Sequence, residues 1–174
     1  MNILIVIDML NGFCRKGYPL SLPQSTSKIE KYIISKIIET NQIGGRVIFV
    51  CDNHTIDDPE INNPYPQHCM HGTNQAEIID DLQPFANNEN VVVKNTLSIF
   101  YNTTLQYLLN ESDSIDVEVT GVCTEICVLF AIYELRIRGY RVSVSSNGVL
   151  PLDSSKQEEY LNYFENNLGA KVCK

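Results

Sequence analysis

Short β-branched apolar runs alternate along this chain with segments of helical periodicity, and that alternation limits the folds open to it. Residues 3–7, 47–50, 91–93, 117–120 and 141–145 read as buried strands, with a last short one at 171–172. Ile29, Ile33 and Ile37 recur at i, i+4, with Ile34 and Ile38 beside them, which predicts a helix capped by Ser25 or Ser27. Gly44 and Gly45 break that helix. Further helices are expected over residues 75–82, ended by Pro84; over 103–109; over 124–138, stopped by Gly139; and over 154–168, with Gly169 past the end. Residues 52–73 have no period and are rich in Asn, Pro and Asp; so long a loop in a compact domain is usually functional or mobile.

Repeated β-α units predict an α/β fold: a doubly wound, mostly parallel sheet with helices on both faces and right-handed crossovers. A length of 174 residues suits a single domain spanning the chain. With 44% apolar and 20% charged residues the chain has enough apolar side chains for a core and is not disordered. Its net charge of −8 gives no electrostatic footprint for nucleic acid or an anionic membrane; a small or neutral ligand, or a metal ion, suits it better. No apolar run approaches the roughly 20 residues of a membrane span. The opening run is short, lacks a basic region and stops at Asp8, so it does not read as a signal peptide; the expected location is cytoplasmic. The six cysteines (Cys14, Cys51, Cys69, Cys123, Cys127 and Cys173) are dispersed and read as free thiols. Closed homo-oligomers are the common outcome for such chains, and a homo-oligomer is expected.

In a parallel sheet, ligands sit beyond the carboxyl ends of the strands. That rule selects Asp8, then Asp52 and His54, then Lys94, then residues 121–127, as groups facing one crevice. Singly, each has an ordinary reading: a turn aspartate, a solvated lysine, a small apolar cysteine in a buried helix. Together they supply a nucleophilic thiol at Cys127, a base at Asp8 and a cation at Lys94, with the start of the Cys127 helix offering backbone N–H groups to an oxyanion. The scheme needs no histidine. The three histidines all lie in the long loop, where Asp52, His54, Glu60, His68 and His71 make a ligand mix suited to Zn²⁺, Fe²⁺ or Mn²⁺. The alternative for these histidines is a polar, solvated loop.

The chain resembles the isochorismatase-like cysteine hydrolase superfamily, and within it the nicotinamidase/pyrazinamidase group. The resemblance rests on Ile5-Val6-Ile7-Asp8 with Asn11-Gly12-Phe13; Asp52-Asn53-His54; residues 65–73; Val93-Lys94; and residues 120–128, the most specific stretch. It implies Cys127 as nucleophile, with Asp8 and Lys94 completing a triad and the backbone N–H groups of Cys123 and Cys127 forming the oxyanion hole. It implies one divalent metal ion, zinc first with iron or manganese open, on Asp52, His54 and His68, with Glu60 chosen over His71 as a further ligand. Phe13 and Tyr65 would flank a flat ring. It also implies a cis peptide between Val122 and Cys123. The chain departs from the family pattern at Leu10 and Gly12, where Gln and Asp are common, and at Leu97, where an aromatic residue is common. The activity implied is hydrolysis of nicotinamide to nicotinate and ammonia. The alternatives are another small amide substrate or a non-catalytic domain.

Overall fold

The structure, a computed structural model, describes residues 2–109 and 115–174. Six strands form one sheet among these residues: β1 (Asn2–Ile7), β2 (Arg46–Asp52), β3 (Val91–Lys94), β4 (Asp116–Val122), β5 (Arg141–Leu150) and β6 (Lys171–Cys173). Their spatial order is β3-β2-β1-β4-β5-β6, and every pairing is parallel. The sheet grows one way from β1 to β3 and the other way from β4 to β6. The reversal places a crevice at the carboxyl ends of β1 and β4, the switch point where open α/β sheets bind ligands.

Helices cover both faces. Ile3, Ile5 and Ile7 of β1 pack beneath α3 (Leu105–Leu109), α4 (Leu129–Ile137) and α5 (Gln157–Asn166), through Leu105, Ala131, Leu135 and Phe164. Leu4 and Val6 face the other way, toward α1 (Asn11–Cys14) and α2 (Ser27–Gln42), through Phe13, Ile29, Ile33 and Ile37. A strand covered on both faces has no solvent side, which is why residues 3–7 are continuously apolar rather than alternating. Each fully buried Ile or Leu contributes about 1.5–3 kcal/mol. Gly121 lets β4 approach β1 at the switch point: its φ is 119°, and a Cβ there would stand 2.0 Å from the Ile7 carbonyl oxygen.

The expected α/β fold stands, with a sheet that is parallel throughout. Several local expectations are corrected. No helix spans residues 75–82; single 3₁₀ turns lie at Asn74–Ala76 and Gln83–Phe85, and Pro84 lies inside the second instead of ending a helix. The intervening backbone is drawn into pairing with the chain after β1: Asn11 N–H donates to Glu77 O at 2.9 Å, and Ile79 N–H to Met9 O at 3.1 Å. Thr26, not Ser25 or Ser27, holds the N-cap position of α2, with its hydroxyl turned to Glu30; Ser25 Oγ accepts the Ser27 N–H at 3.3 Å. The helix expected over 124–138 starts as a widened turn at Thr124–Val128, where Val128 N–H donates to Cys123 O, five residues back, at 3.2 Å. Strand β5 runs to Leu150, five residues beyond the expected end, past an irregularity in its pairing with β4.

Candidate active site

The first link is the end of β1. Asp8 follows Ile7 with a φ of 51°, a left-handed conformation uncommon outside glycine and frequent at functional sites. Its N–H still pairs with Val50 O at 2.9 Å, while its side chain turns inward and is fully buried. Asp8 Oδ1 accepts the backbone N–H of Asp52 at 2.9 Å. The ends of β2 and β3 lie in register, Asp52 opposite Lys94. Along β3, Val93 faces solvent and Lys94 faces inward. Its buried ammonium ion-pairs with Asp52 Oδ1 and lies 3.0 Å from Asp8 Oδ2. Asp8 Oδ2 is thereby turned toward Lys94 and Cys127, whose hydrogen bonds pull against the rise in its pKa caused by burial. Cys127, buried in the widened turn beyond β4, brings its Sγ within 4.8 Å of carboxylate oxygens of Asp8 and Asp52.

Burial and the nearby Asp52 charge push the Asp8 carboxyl up to about 6, against the pull of Lys94. Burial also raises the Cys127 thiol well above its usual value, only partly countered by Lys94. Burial disfavours the Lys94 charge, but the two carboxylates outweigh it and keep the ammonium protonated. At neutral pH the arrangement is therefore a thiol beside an ionised carboxylate, with a fixed cation at hand. Such a carboxylate can accept the thiol proton as the sulfur attacks.

The second cluster adjoins the first. Asp52 Oδ2 lies 3.5 Å from His54 Nε2 and 3.6 Å from His68 Nε2. The far nitrogens identify the tautomers. His68 Nδ1 is 2.8 Å from the Pro66 carbonyl and His54 Nδ1 is 3.3 Å from Asp58 Oδ2. Carbonyl and carboxylate oxygens only accept, so both Nδ1 atoms donate. Both rings then turn Nε2 toward the Asp52 carboxylate, and among the described residues His54 Nε2 is buried without a hydrogen-bond partner. Two imidazole nitrogens and a carboxylate oxygen converging in a buried site fit a divalent cation. Glu60 stands on the wall beside this group but outside it, its Oε1 accepting the Leu97 N–H. His71 is exposed and bonds Asn53 Oδ1 at 3.1 Å, away from the cluster.

A cavity of about 210 Å³ opens on both clusters. Phe13, Leu20, Tyr65, Leu97, Val122, Ile126 and Leu152 supply apolar lining, and Cys123, Cys127, Asp52, Glu60 and His68 polar lining. Phe13 and Tyr65 flank the His68 ring, with centroids 5.7 and 5.8 Å away. The Val122–Cys123 peptide is cis. The sequence departures have local reasons. A Cβ at Gly12 would meet Cys69 Sγ at 2.8 Å, leaving no room for aspartate, and Leu10 is a fully buried core residue. Leu97 lines the cavity.

Sequence reasoning missed Asp58 and Asn95, which support the histidine cluster from behind. The available signal was a carboxylate four residues after a candidate ligand. It also missed Leu20 and Leu152, which carry no chemical signature.

The Isochorismatase domain family matches residues 2–174. A Bacillus subtilis (strain 168) relative, named an uncharacterized isochorismatase family protein PncA, is 28% identical over 98% of this chain and 97% of its own. The crystal structure of nicotinamidase PncA from Bacillus subtilis superposes with a TM-score of 0.90 at 29% identity, covering 99% of both chains. That of N-carbamoylsarcosine amidase from Thermoplasma acidophilum gives 0.83 at 30% identity, covering 99% of this chain and 95% of the other.

Proposed function

The chain belongs to the isochorismatase family, and on that premise we propose that it is a cysteine amidohydrolase that converts nicotinamide to nicotinate and ammonia. The observation that carries this reading is the cavity itself: Cys127 and the aromatic Phe13 and Tyr65 in its lining, and the Asp52–His54–His68 group at one side. Asp8 takes the Cys127 proton as Sγ attacks the carboxamide carbon. The backbone N–H groups of Cys123 and Cys127 hold the oxyanion, and Lys94 offsets the charge shared by Asp8 and sulfur. The tetrahedral adduct collapses, the C–N bond breaks, and Asp8 returns its proton to the departing ammonia. Asp8 then deprotonates a water that cleaves the thioester, releasing nicotinate and the thiol.

Asp52, His54 and His68 would hold one divalent ion, with Glu60 proposed as a further ligand. When bound, that ion supplies an electrophilic partner for a ring nitrogen, directly or through water; zinc is the first choice, with iron or manganese as alternatives. Phe13 and Tyr65 orient the ring.

A second reading, an amidase for a carboxylate-bearing substrate, draws on the N-carbamoylsarcosine amidase likeness. The cavity lining speaks against it: among the described residues it includes Glu60 and no arginine or lysine to meet a substrate carboxylate. A non-catalytic role leaves the buried Asp8, Lys94 and Cys127 without a use. Ammonia release by the purified protein from nicotinamide and from N-carbamoylsarcosine tests the choice. Turnover of nicotinamide alone is expected; turnover of N-carbamoylsarcosine alone would overturn the assignment.

A further inference from the structure

We infer that Asp58 is a positioning residue that fixes His54 as an Nε2 ligand and ties the histidine loop to the end of β3. This rests on the metal reading proposed above.

Asp58 lies in the long loop, buried, with only 9% of its surface exposed. Its two oxygens meet four donors. Oδ2 accepts the Thr55 N–H at 2.7 Å and faces His54 Nδ1 at 3.3 Å. Oδ1 accepts from Asn95 Nδ2 at 2.8 Å and Thr55 Oγ1 at 3.2 Å. An ionised carboxylate only accepts, so this environment holds a proton on His54 Nδ1 and keeps Nε2 aimed at Asp52. Asn95 directly follows Lys94, so the same carboxylate joins the loop carrying His54 to the strand that places the buried lysine. A second tie runs beside it: Asn53 N–H donates to Lys94 O at 2.9 Å. Among the described residues, the partner behind His68 is the Pro66 carbonyl of its own loop and not a carboxylate. His54 is thus the ligand whose orientation is set by a distant part of the fold.

The alternative role for Asp58 is a loop staple, closing the turn over residues 55–58 through Thr55. The two roles separate in the Asp58→Asn variant. The amide keeps the size but removes the charge: Asn95 can turn its own oxygen to the new N–H, while His54 Nδ1 is left with a neutral acceptor in place of a carboxylate. A positioning role predicts weaker metal binding with little change in the metal-free fold. A staple predicts a less stable metal-free fold with metal affinity kept.

Zinc chloride is titrated into the metal-free full chain, wild type and Asp58→Asn, against a chromophoric chelator, at a temperature where both are folded. The expected result is a 10–100-fold weaker zinc Kd in the variant, as for loss of other partners behind metal-bound histidines. The metal-free thermal midpoint should shift by less than about 4 °C. Equal zinc affinity in the two proteins would overturn the inference while leaving the metal site standing. No zinc binding by the wild type would overturn the metal reading and this inference with it. Should the variant fail to fold, the zinc-loaded wild type decides by NMR. A slowly exchanging, downfield His54 Nδ1 proton is expected, and one in fast exchange with water would overturn the assignment.

Discussion

Asp8 Oδ1 accepts the backbone N–H of Asp52 at 2.9 Å, so the proposed base and the central carboxylate of the histidine cluster are locked together across two strand ends. The contact leaves Asp8 Oδ2 for Lys94 and the Cys127 thiol. On the proposed reading, attack on a carbonyl and recognition of a ring are thereby held side by side.

Cys127→Ala should reduce amide turnover to background and leave the fold intact, since it removes one sulfur from the cavity lining. Cys14→Ala and Cys173→Ala should keep activity, because neither residue lines the cavity. Iodoacetamide mapping checks the assignment: labelling is expected first at Cys127 among the cavity cysteines. An active Cys127→Ala protein would exclude the thioester route.

The pH dependence of kcat/KM should show an acid limb governed by Asp8. This carboxyl must be ionised to accept the thiol proton, and its folded value is pushed up to about 6 by burial and by Asp52. Activity therefore plateaus above that value and falls about tenfold per pH unit below it. A cation on Asp52 offsets the charge that raises Asp8, so the limb of the metal-loaded protein should lie at lower pH than that of the metal-free protein. Rate profiles of the two forms test the order; a reversed order would contradict the coupling.

Removal of the metal should narrow the preference between nicotinamide and benzamide. Benzamide keeps the amide and the stacking face but lacks the ring nitrogen, and a site built around a polar partner penalises its loss. In the loaded protein kcat/KM should favour nicotinamide by at least about tenfold. Chelation, or His54→Ala with its metal loss confirmed by elemental analysis, should slow nicotinamide more than benzamide. Equal kcat/KM values for the two amides in the loaded protein would show that the metal does not read the ring.

Gly121→Ala should destabilise the protein by more than about 3 kcal/mol, measured by urea unfolding. The new Cβ would lie 2.0 Å from the Ile7 carbonyl oxygen, at a backbone φ of 119°. Because Ile7 directly precedes Asp8, surviving activity should fall as well. Wild-type stability in the Gly121→Ala variant would mean that β1 and β4 approach less closely than described.

The strands and most helices were legible in the sequence because burial on a regular backbone leaves a period, as at Ile29, Ile33 and Ile37. Asp8, Asp52, Lys94 and the Cys127 turn were legible as well. A parallel sheet gathers the carboxyl ends of its strands on one edge, so residues 44 and 42 positions apart meet there. What the sequence could not decide were contacts that leave no local period. Residues 77–79 bond the backbone of residues 9 and 11 instead of forming a helix, because the neighbouring chain satisfies their donors and acceptors first. Asp58 became a support for His54, and Glu60 a partner of the Leu97 N–H, only once the loop was folded over the end of β3. The convergence of the Nε2 atoms of His54 and His68 on Asp52 is likewise a product of tertiary structure. Which nitrogen of a histidine donates is set by the acceptor behind it, and that acceptor is placed by the fold.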